Sequence, residues 1–248
     1  MLEKTLGCDD FDCRFASPEL TVGLKRIAPN LHEAARRLWA TAFADSSISG
    51  RMKELVLLSL FASPAGYNQA MVDQQIARAM REGASRDDVA DVLISVAGLS
   101  NHALYMALPL AEAAFPAEEI AGSLDQEAVA AVQNAKEEFI RARGFWNPAR
   151  DVIERTMPEY LLSSTEFSAA STRYGSLTQV EREMVYIAID ASVNHMSELG
   201  LKIHFANARK AGMTFPQVAA VLKIVGVVGL LAYVNSARHI AVPQPFGV

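Results

Sequence analysis

The chain of 248 residues has a formal net charge of −5, and 51% of its residues are hydrophobic. This length allows one or two domains, and a charged fraction of 21% fits a globular protein with a large core. The sequence carries no basic stripe, which argues against nucleic acid as the main partner.

The N-terminal segment, residues 1–30, lacks the apolar run of a signal peptide. It holds both cysteines, Cys8 and Cys13, with four residues between them. This spacing is compatible with a disulfide or with half of a metal site. No histidine is near, however, and we interpret the pair as ordinary thiols. So few cysteines fit a reducing cytoplasm, where we expect the protein to be.

The first half of the chain, residues 31–115, predicts helices throughout. Apolar residues at helical spacing predict a helix at 31–43, one that follows Ser49, one at 67–82, and a last one that ends near residue 114. Ser85 is the expected cap of the helix that follows Gly83, because serine accepts a hydrogen bond from the first turn.

Residues 116–158 are predicted to be a linker with one extra helix at 126–143. In the second half, 159–248, we predict helices at 158–172, 178–192, 195–211, 215–228 and 230–240. No stretch shows sustained period-two alternation, so the predicted fold class is all-α. The most apolar stretch, 224–234, is too short to span a bilayer, and we expect no membrane association.

The two halves repeat one another at a constant offset of 129 residues. Glu54 matches Glu183 at this offset, Ser63 matches Ser192 and Gly83 matches Gly212. A unit of this length is longer than a solenoid repeat, so the pattern predicts a duplicated small domain.

The functional candidates are the positions at which the copies differ. His195, Glu198 and His204 of the second copy stand where the first copy has Gly66, Gln69 and Gln75. The second copy thus has groups that exchange protons near neutral pH, whereas the first mostly has amides. His102 and His239 have no counterpart at the paired positions, and we interpret them as surface or core histidines.

The repeated pattern resembles the carboxymuconolactone decarboxylase and AhpD-like family. The resemblance covers about residues 31–115 and 159–240. It rests on the Arg/Lys-Glu-Leu/Met-Val opening, the helix that ends at Gly83 or Gly212, and the Val-Ala-x-Val-Leu helix that follows. It implies an AhpD-like helical bundle, duplicated within one chain, and a homo-oligomer, dimer or trimer, that mimics a larger ring.

The family resemblance also implies two branches of chemistry. AhpD-like members carry a Cys-x2-Cys motif between a glutamate and a histidine, and decarboxylase-like members use histidine and carboxylates as acids and bases. Neither repeat of this chain contains a cysteine, which excludes thiol peroxidase chemistry by that motif. Counting back from Gly212, His204 occupies the position of the family histidine. Counting forward from Glu183 instead places Lys202 there, with His195 and Glu198 at the two cysteine positions, and we favour the count from Gly212 for His204.

The geometry of a helix limits which candidates act together. At about 100° per residue, His195 and His204 point in opposite directions from a straight helix. They converge only if His195 lies in the loop before the helix or across a subunit boundary. Glu183 recurs as Glu54 in the first copy, so a structural role for this pair stays an alternative to a catalytic one.

These residues predict an acid–base site in the second half. His204 or His195 is the expected acid or base and Glu183 or Glu198 its polarising carboxylate, with Lys202, Ser197 and Asn194 as candidate substrate contacts. We expect no organic cofactor. A metal held by the two histidines and two glutamates is the less favoured alternative.

The function predicted from the sequence is a cofactor-independent decarboxylase, isomerase or lyase that acts on a small organic acid or lactone. Two alternatives stay open. One is an alkylhydroperoxidase-like antioxidant protein that uses Cys8 and Cys13, and the other is a non-catalytic helical assembly protein.

Overall fold

The computed structural model describes residue 11 and residues 18–64, 67–98 and 101–234, and this part of the chain forms helices joined by turns. Cys8, Cys13, Gly66 and His239 lie outside the described residues, as does everything after residue 234. The described part contains no β-strand, which confirms the predicted all-α fold class.

Up to residue 115, the described residues form six helices. They are α1 (Pro18–Ile27), α2 (Pro29–Phe43), α3 (Gly50–Phe61), α4 (Gln69–Arg81), α5 (Arg86–Ala97) and α6 (Asn101–Ala114). The connecting segment contains α7 (Ala117–Gly122), α8 (Gln126–Arg143), a 3₁₀ turn (Pro148–Arg150) and α9 (Asp151–Thr156). The second half contains α10 (Pro158–Tyr174), α11 (Gln179–Ala191), α12 (Glu198–Lys210) and α13 (Phe215–Val227).

Helices α3–α5 and α11–α13 correspond to one another at the offset of 129 residues. Ser49, Asn68 and Ser85 are the N-caps of the first three, and their counterparts are Thr178, Ser197 and Thr214. Each preceding turn thus ends at a residue whose side chain can satisfy free backbone N–H groups. Gly83 and Gly212 have φ of 94° and 91°, a conformation that favours glycine, and both allow a sharp turn after a helix.

The central helices of the two halves, α3 and α11, pack against each other inside one core. Four consecutive residues of α3, Leu55 to Leu58, are 0% exposed, as are Val185, Ile187 and Ala188 of α11. Because each helix is apolar on nearly all sides, each must be covered by neighbouring helices. Helix α13 supplies part of this cover and also contacts α2. The halves therefore share a core rather than folding around separate ones.

Buried and half-buried ion pairs also join the halves. Arg51 of α3 binds Asp88 of α5 at 2.9 Å and Glu181 of α11 at 2.5 Å. Arg182 of α11 lies 3.4 Å from Asp91 of α5, which also accepts a hydrogen bond from the Leu177 backbone N–H at 3.0 Å. These contacts fix the orientation of α11 relative to α5.

Two helical stretches, Arg86–Ala114 and Phe215–Val234, are long and apolar enough to cross a membrane by length and composition. The second is longer than the apolar run that the sequence marks at 224–234. Length and composition are weak evidence here, because a helix covered inside a soluble protein has the same properties.

Candidate active site

Helix α11 provides two buried carboxylates. Thr178 and Glu181 form a capping box that fixes the start of this helix. Glu183 and Asp190 are seven residues apart, which is about two turns, so their side chains lie on the same side of α11. Glu183 is 5% exposed and Asp190 is 0% exposed. Buried carboxylates need partners, and those in reach come from α12, from the turn before it and from α6.

The turn between α11 and α12 brings His195 to the end of α11. The backbone N–H groups of His195 and Met196 both donate to the Ser192 carbonyl at 2.9 Å. The predicted helix at 195–211 begins later, at Glu198, because the Ser197 side chain caps it and accepts from the Gly200 N–H at 3.2 Å. His195 thus lies in the loop before the helix, which meets the condition for its convergence with His204.

His204 forms a close pair with Glu183. The distance from His204 Nδ1 to Glu183 Oε2 is 2.7 Å, and both side chains are largely buried. The Tyr186 ring lies beside the imidazole, with 4.7 Å between the ring centres. Because Nδ1 of His204 faces Glu183, the other ring nitrogen, Nε2, faces Asp190, whose Oδ2 is 3.7 Å away.

The first half keeps the shape of this pair without its chemistry. Gln75, the counterpart of His204, donates from Nε2 to Glu54 Oε2 at 2.6 Å. The glutamates thus have a structural role in both halves. Only the second half pairs its glutamate with a group that can gain and lose a proton near neutral pH.

Two more histidines surround the other oxygen of Asp190. His195 Nε2 is 3.3 Å and His102 Nδ1 is 3.8 Å from Asp190 Oδ1, and the two ring nitrogens are 2.6 Å apart. Neither oxygen of Asp190 accepts a hydrogen bond from the described residues. His102, interpreted from the sequence as a surface or core histidine, is part of this cluster.

Burial lowers the pKa of His102 to about 4. Asp190 acts in the opposite direction, and the nearby His195, His204 and Arg150 lower the pKa of His102 further. The imidazole of His102 is therefore neutral near pH 7, with a lone pair available on one ring nitrogen.

A cavity of about 80 Å³ opens beside His102 and His204. Its walls come from all three parts of the chain: His102 and Tyr105 from the first half, Arg143 and Arg150 from the connecting segment, and residues of α11 and α12. A volume of this size holds several water molecules or a small organic group.

Two arginines line this cavity. Arg143 Nη1 donates to the Ser168 carbonyl at 2.8 Å and to the Tyr186 hydroxyl at 3.1 Å. Arg150 is 7% exposed and its guanidinium lies 4.2 Å from the centre of the Phe139 ring. Among the described residues neither arginine pairs with a carboxylate. Burial lowers the pKa of Arg150 and raises the pKa of the neighbouring Tyr105 hydroxyl. A buried guanidinium without a carboxylate partner favours binding of an anion.

A second, larger cavity of about 470 Å³ is also lined by Tyr186. Arg143 and Tyr186 line both cavities, and Glu183 reaches only the second. The His204–Glu183 pair therefore lies between two openings.

The structure places the other predicted site residues outside the cavities. Glu198 and Lys202 pair with each other at 2.6 Å on the outer surface of α12, where their side chains are 82% and 71% exposed. Asn194 is exposed in the turn, and the hydroxyl of Ser197 is engaged as the cap of α12. Glu198 therefore does not reach His204 or His195, because it points from α12 into solvent.

Asp190, Arg143 and Arg150 were not predicted from the sequence. A comparison of the two halves at the offset of 129 residues could have identified Asp190, because its counterpart in the first half is the apolar residue Phe61. The same comparison pairs Gly200 with the larger residue Met71. A Cβ atom at Gly200 would lie 2.0 Å from Asp190 Oδ2, so the absence of a side chain there leaves room for the carboxylate. The two arginines lie outside both repeats and have no such signal.

Residues 158–242 match the model of the carboxymuconolactone decarboxylase family. The fold is similar to a crystal structure from Burkholderia xenovorans LB400, with a TM-score of 0.79 and 27% sequence identity over 90% of this chain and 89% of that one. These findings support assignment of the chain to the carboxymuconolactone decarboxylase and AhpD-like family. The Burkholderia protein is assigned as a gamma-carboxymuconolactone decarboxylase subunit. No curated protein matches the chain significantly.

Similarity to this family of soluble enzymes supports a soluble protein. The match in sequence covers α10 to α13, the part that holds Glu183, Asp190, His195 and His204. The similarity in structure extends beyond this part, over 90% of the chain.

Proposed function

We propose that this protein is a decarboxylase-like enzyme of the cytoplasm that needs no organic cofactor and acts on a small organic acid or lactone. One observation carries the proposal: a single cavity brings His204, held by Glu183, to the same walls as Arg143 and Arg150, neither of which pairs with a carboxylate among the described residues. Proton transfer and anion binding are what removal of a carboxylate requires from a protein without a cofactor.

The arginines are the proposed anion site. Both guanidiniums are held in place, Arg143 by its hydrogen bonds and Arg150 by packing between aromatic rings. A carboxylate that binds there replaces lost solvation with charge-assisted hydrogen bonds. A fixed guanidinium also stabilises negative charge that develops on a neighbouring oxygen during the reaction.

His204 is the proposed proton donor and acceptor. Cleavage of the bond between the carboxylate carbon and its neighbour releases CO₂ and leaves the electron pair on the substrate as an enolate. The proton on His204 Nε2 then moves to the substrate carbon, and solvent supplies the next proton. The balance is one carboxylate and one proton consumed, and one CO₂ and one protonated product formed.

Glu183 is the proposed positioning residue for this step. Its carboxylate, 2.7 Å from Nδ1, fixes the orientation of the ring, so that Nε2 is the nitrogen left for proton exchange. The same arrangement also suits the reverse transfer, abstraction of a proton next to a carbonyl group, as an isomerase requires.

The test is turnover of gamma-carboxymuconolactone and of a panel of small carboxylic acids and lactones by the purified full-length chain. Release of CO₂ reports decarboxylation, and proton exchange by NMR reports isomerisation. We expect His204→Gln to lower kcat by about 100-fold or more, because it removes the proton carrier but keeps a hydrogen bond to Glu183. Arg150→Met is expected mainly to raise KM.

Glu198→Gln is the matched control, since it changes a glutamate on the same helix that lies on the outer surface. It should turn over substrate at the wild-type rate. Full activity of His204→Gln on every accepted substrate would contradict the proposed proton step. If no member of the panel reacts, the non-catalytic alternative gains support.

We also propose that the protein acts as a homo-oligomer, dimer or trimer. Thiol peroxidase chemistry is not part of the proposal. Residues 31–248 contain no cysteine, so the Cys-x2-Cys chemistry of AhpD-like relatives has no counterpart at this site.

A further inference from the structure

Asp190 is a buried carboxylate that lacks a charge-compensating partner among the described residues. It is 0% exposed, and neither of its oxygens accepts a hydrogen bond from the described residues. A carboxylate removed from water in this way is costly unless a positive charge or several donors face it. The groups nearest to Oδ1 are two imidazole nitrogens rather than N–H groups of the backbone.

The two imidazoles are arranged with their ring nitrogens directed at the same point. His102 Nδ1 and His195 Nε2 are 2.6 Å apart, and the rings stack with 4.7 Å between their centres. At most one of these two nitrogens can carry the proton of a hydrogen bond between them, so at least one lone pair points into the gap.

From this geometry we infer that His102, His195 and Asp190 form a binding site for one divalent transition-metal ion. The three ligand atoms all lie within 4.8 Å of one another. They come from α6, from the turn after α11 and from α11, so the folded chain brings them together although 93 residues separate the histidines.

The spacing suits zinc after a small adjustment. Tetrahedral zinc with bonds of about 2.0–2.1 Å separates its ligand atoms by roughly 3.3 Å. The three observed separations, 2.6, 3.3 and 3.8 Å, bracket this value. Binding therefore requires the two imidazoles to move apart by less than 1 Å. Two imidazoles and one carboxylate suit Zn²⁺ or Fe²⁺, and they disfavour Mg²⁺ and Ca²⁺, which prefer oxygen ligands.

The surroundings of the site fit a metal ligand set. The carboxylate and both imidazoles reach the site from elements that the fold holds in contact. His102 also lines the cavity of about 80 Å³, so an ion bound here would lie at the edge of the proposed active site. His204 approaches the other oxygen of Asp190, Oδ2, and stays paired with Glu183. Asp190 would then join the metal site to the proton-transfer pair.

The inference does not rest on the proposed function, because metal binding is measured without substrate. The full-length chain is treated with a chelator, dialysed, and titrated with Zn²⁺ by calorimetry, and the bound metal is counted by mass spectrometry. We expect one Zn²⁺ per chain, no measurable binding of Mg²⁺, and an absorption band of tetrahedral Co²⁺ when Co²⁺ replaces zinc.

Asp190→Asn and His195→Gln test the ligands. Each keeps the shape of the side chain and should weaken zinc binding by about 100-fold or more, with the helical circular dichroism unchanged. Glu198→Gln and the double variant Cys8→Ser, Cys13→Ser should bind zinc as the wild type does. Three results would each overturn the inference: no stoichiometric binding by the folded wild type, unchanged affinity in both ligand variants, or loss of binding in the cysteine variant.

Discussion

Gly200 is the residue that gives Asp190 room beside His204. A Cβ atom there would lie 2.0 Å from Asp190 Oδ2 and 2.9 Å from Ser197 Oγ, and the carboxylate would have to move. We expect Gly200→Ala to lower turnover by at least about tenfold, because a displaced Asp190 would disturb the neighbouring His204 Nε2, and a displacement of about 1 Å at a reacting group costs that much or more. Turnover of the variant measures this loss, and zinc titration of the same preparation measures whether the displaced Asp190 also weakens the proposed metal site.

Gly226 in α13 offers a matched control for that change, since no atom lies within 4 Å of a Cβ placed there. Gly226→Ala should leave turnover unchanged and raise the free energy of unfolding by about 0.5–1 kcal/mol, the usual gain from glycine to alanine in a helix. Equal activity of the Gly200→Ala variant and the wild type would refute the crowding argument.

The site residues differ in how well the sequence reveals them. His204 and Glu183 could be predicted, because the offset of 129 residues compares them with Gln75 and Glu54. If residues 195–211 formed one continuous helix, the spacing of three residues would place Glu198 on the same helix face as His195. The cap at Ser197 instead turns Glu198 into solvent. No local pattern marks Arg150, whose role depends on where the connecting segment folds back.

At the scale of helices, boundaries could be predicted well because capping chemistry is local. Ser85 caps α5 as expected, and the predicted helix at 126–143 coincides with α8. The start of α12 was predicted three residues too early, since the turn at 192–197 depends on hydrogen bonds to the end of α11. Contacts between helices, such as His102 with His195, are set by packing over long separations.

The start of α5 gives a prediction about pH. Burial alone would raise the pKa of Asp88. Hydrogen bonds from Ser176, from the Ser85 N–H and from Arg51 outweigh burial and lower this pKa to about 2. An aspartate in an unfolded chain has a pKa near 3.9. The folded state thus binds fewer protons, so Asp88 contributes stability above about pH 4 and loses this contribution as the pH falls toward 2.

The pH-dependent contribution of Asp88 to stability can be measured by urea unfolding of Asp88→Asn and of the wild type between pH 2 and pH 7. The wild type should be more stable by about 1–2 kcal/mol at pH 5–7, and the difference should shrink below pH 4. Asp87→Asn is the control, since Asp87 is exposed in the same helical turn and should change stability little. A difference that grows as the pH falls would mean that the sign is wrong.

At the scale of the whole molecule, apolar side chains remain uncovered in the single chain. On α6, Met106 is 73% and Leu110 is 71% exposed, and they are one helical turn apart. Phe215 at the start of α13 is 79% exposed. Apolar side chains in this arrangement are typical of surfaces buried by assembly.

Light scattering after size-exclusion chromatography tests the proposed oligomer. We expect the wild type to be a dimer or trimer, and Met106→Lys with Leu110→Lys to shift it toward the monomer while helical content is retained. Tyr174→Lys, at an isolated exposed position, is the control. A monomeric wild type at micromolar concentration would reject this proposal.

The distribution of the site over the chain also limits how such a protein can evolve. His102 comes from the first half, Arg143 and Arg150 from the connecting segment, and His204 from the second half. Recombination that exchanged only the second half between relatives would transfer the proposed proton carrier and leave both arginines behind. If the proposed site is correct, the segment between the halves is inherited as part of it, and selection for a given substrate should act on that segment as strongly as on the second half.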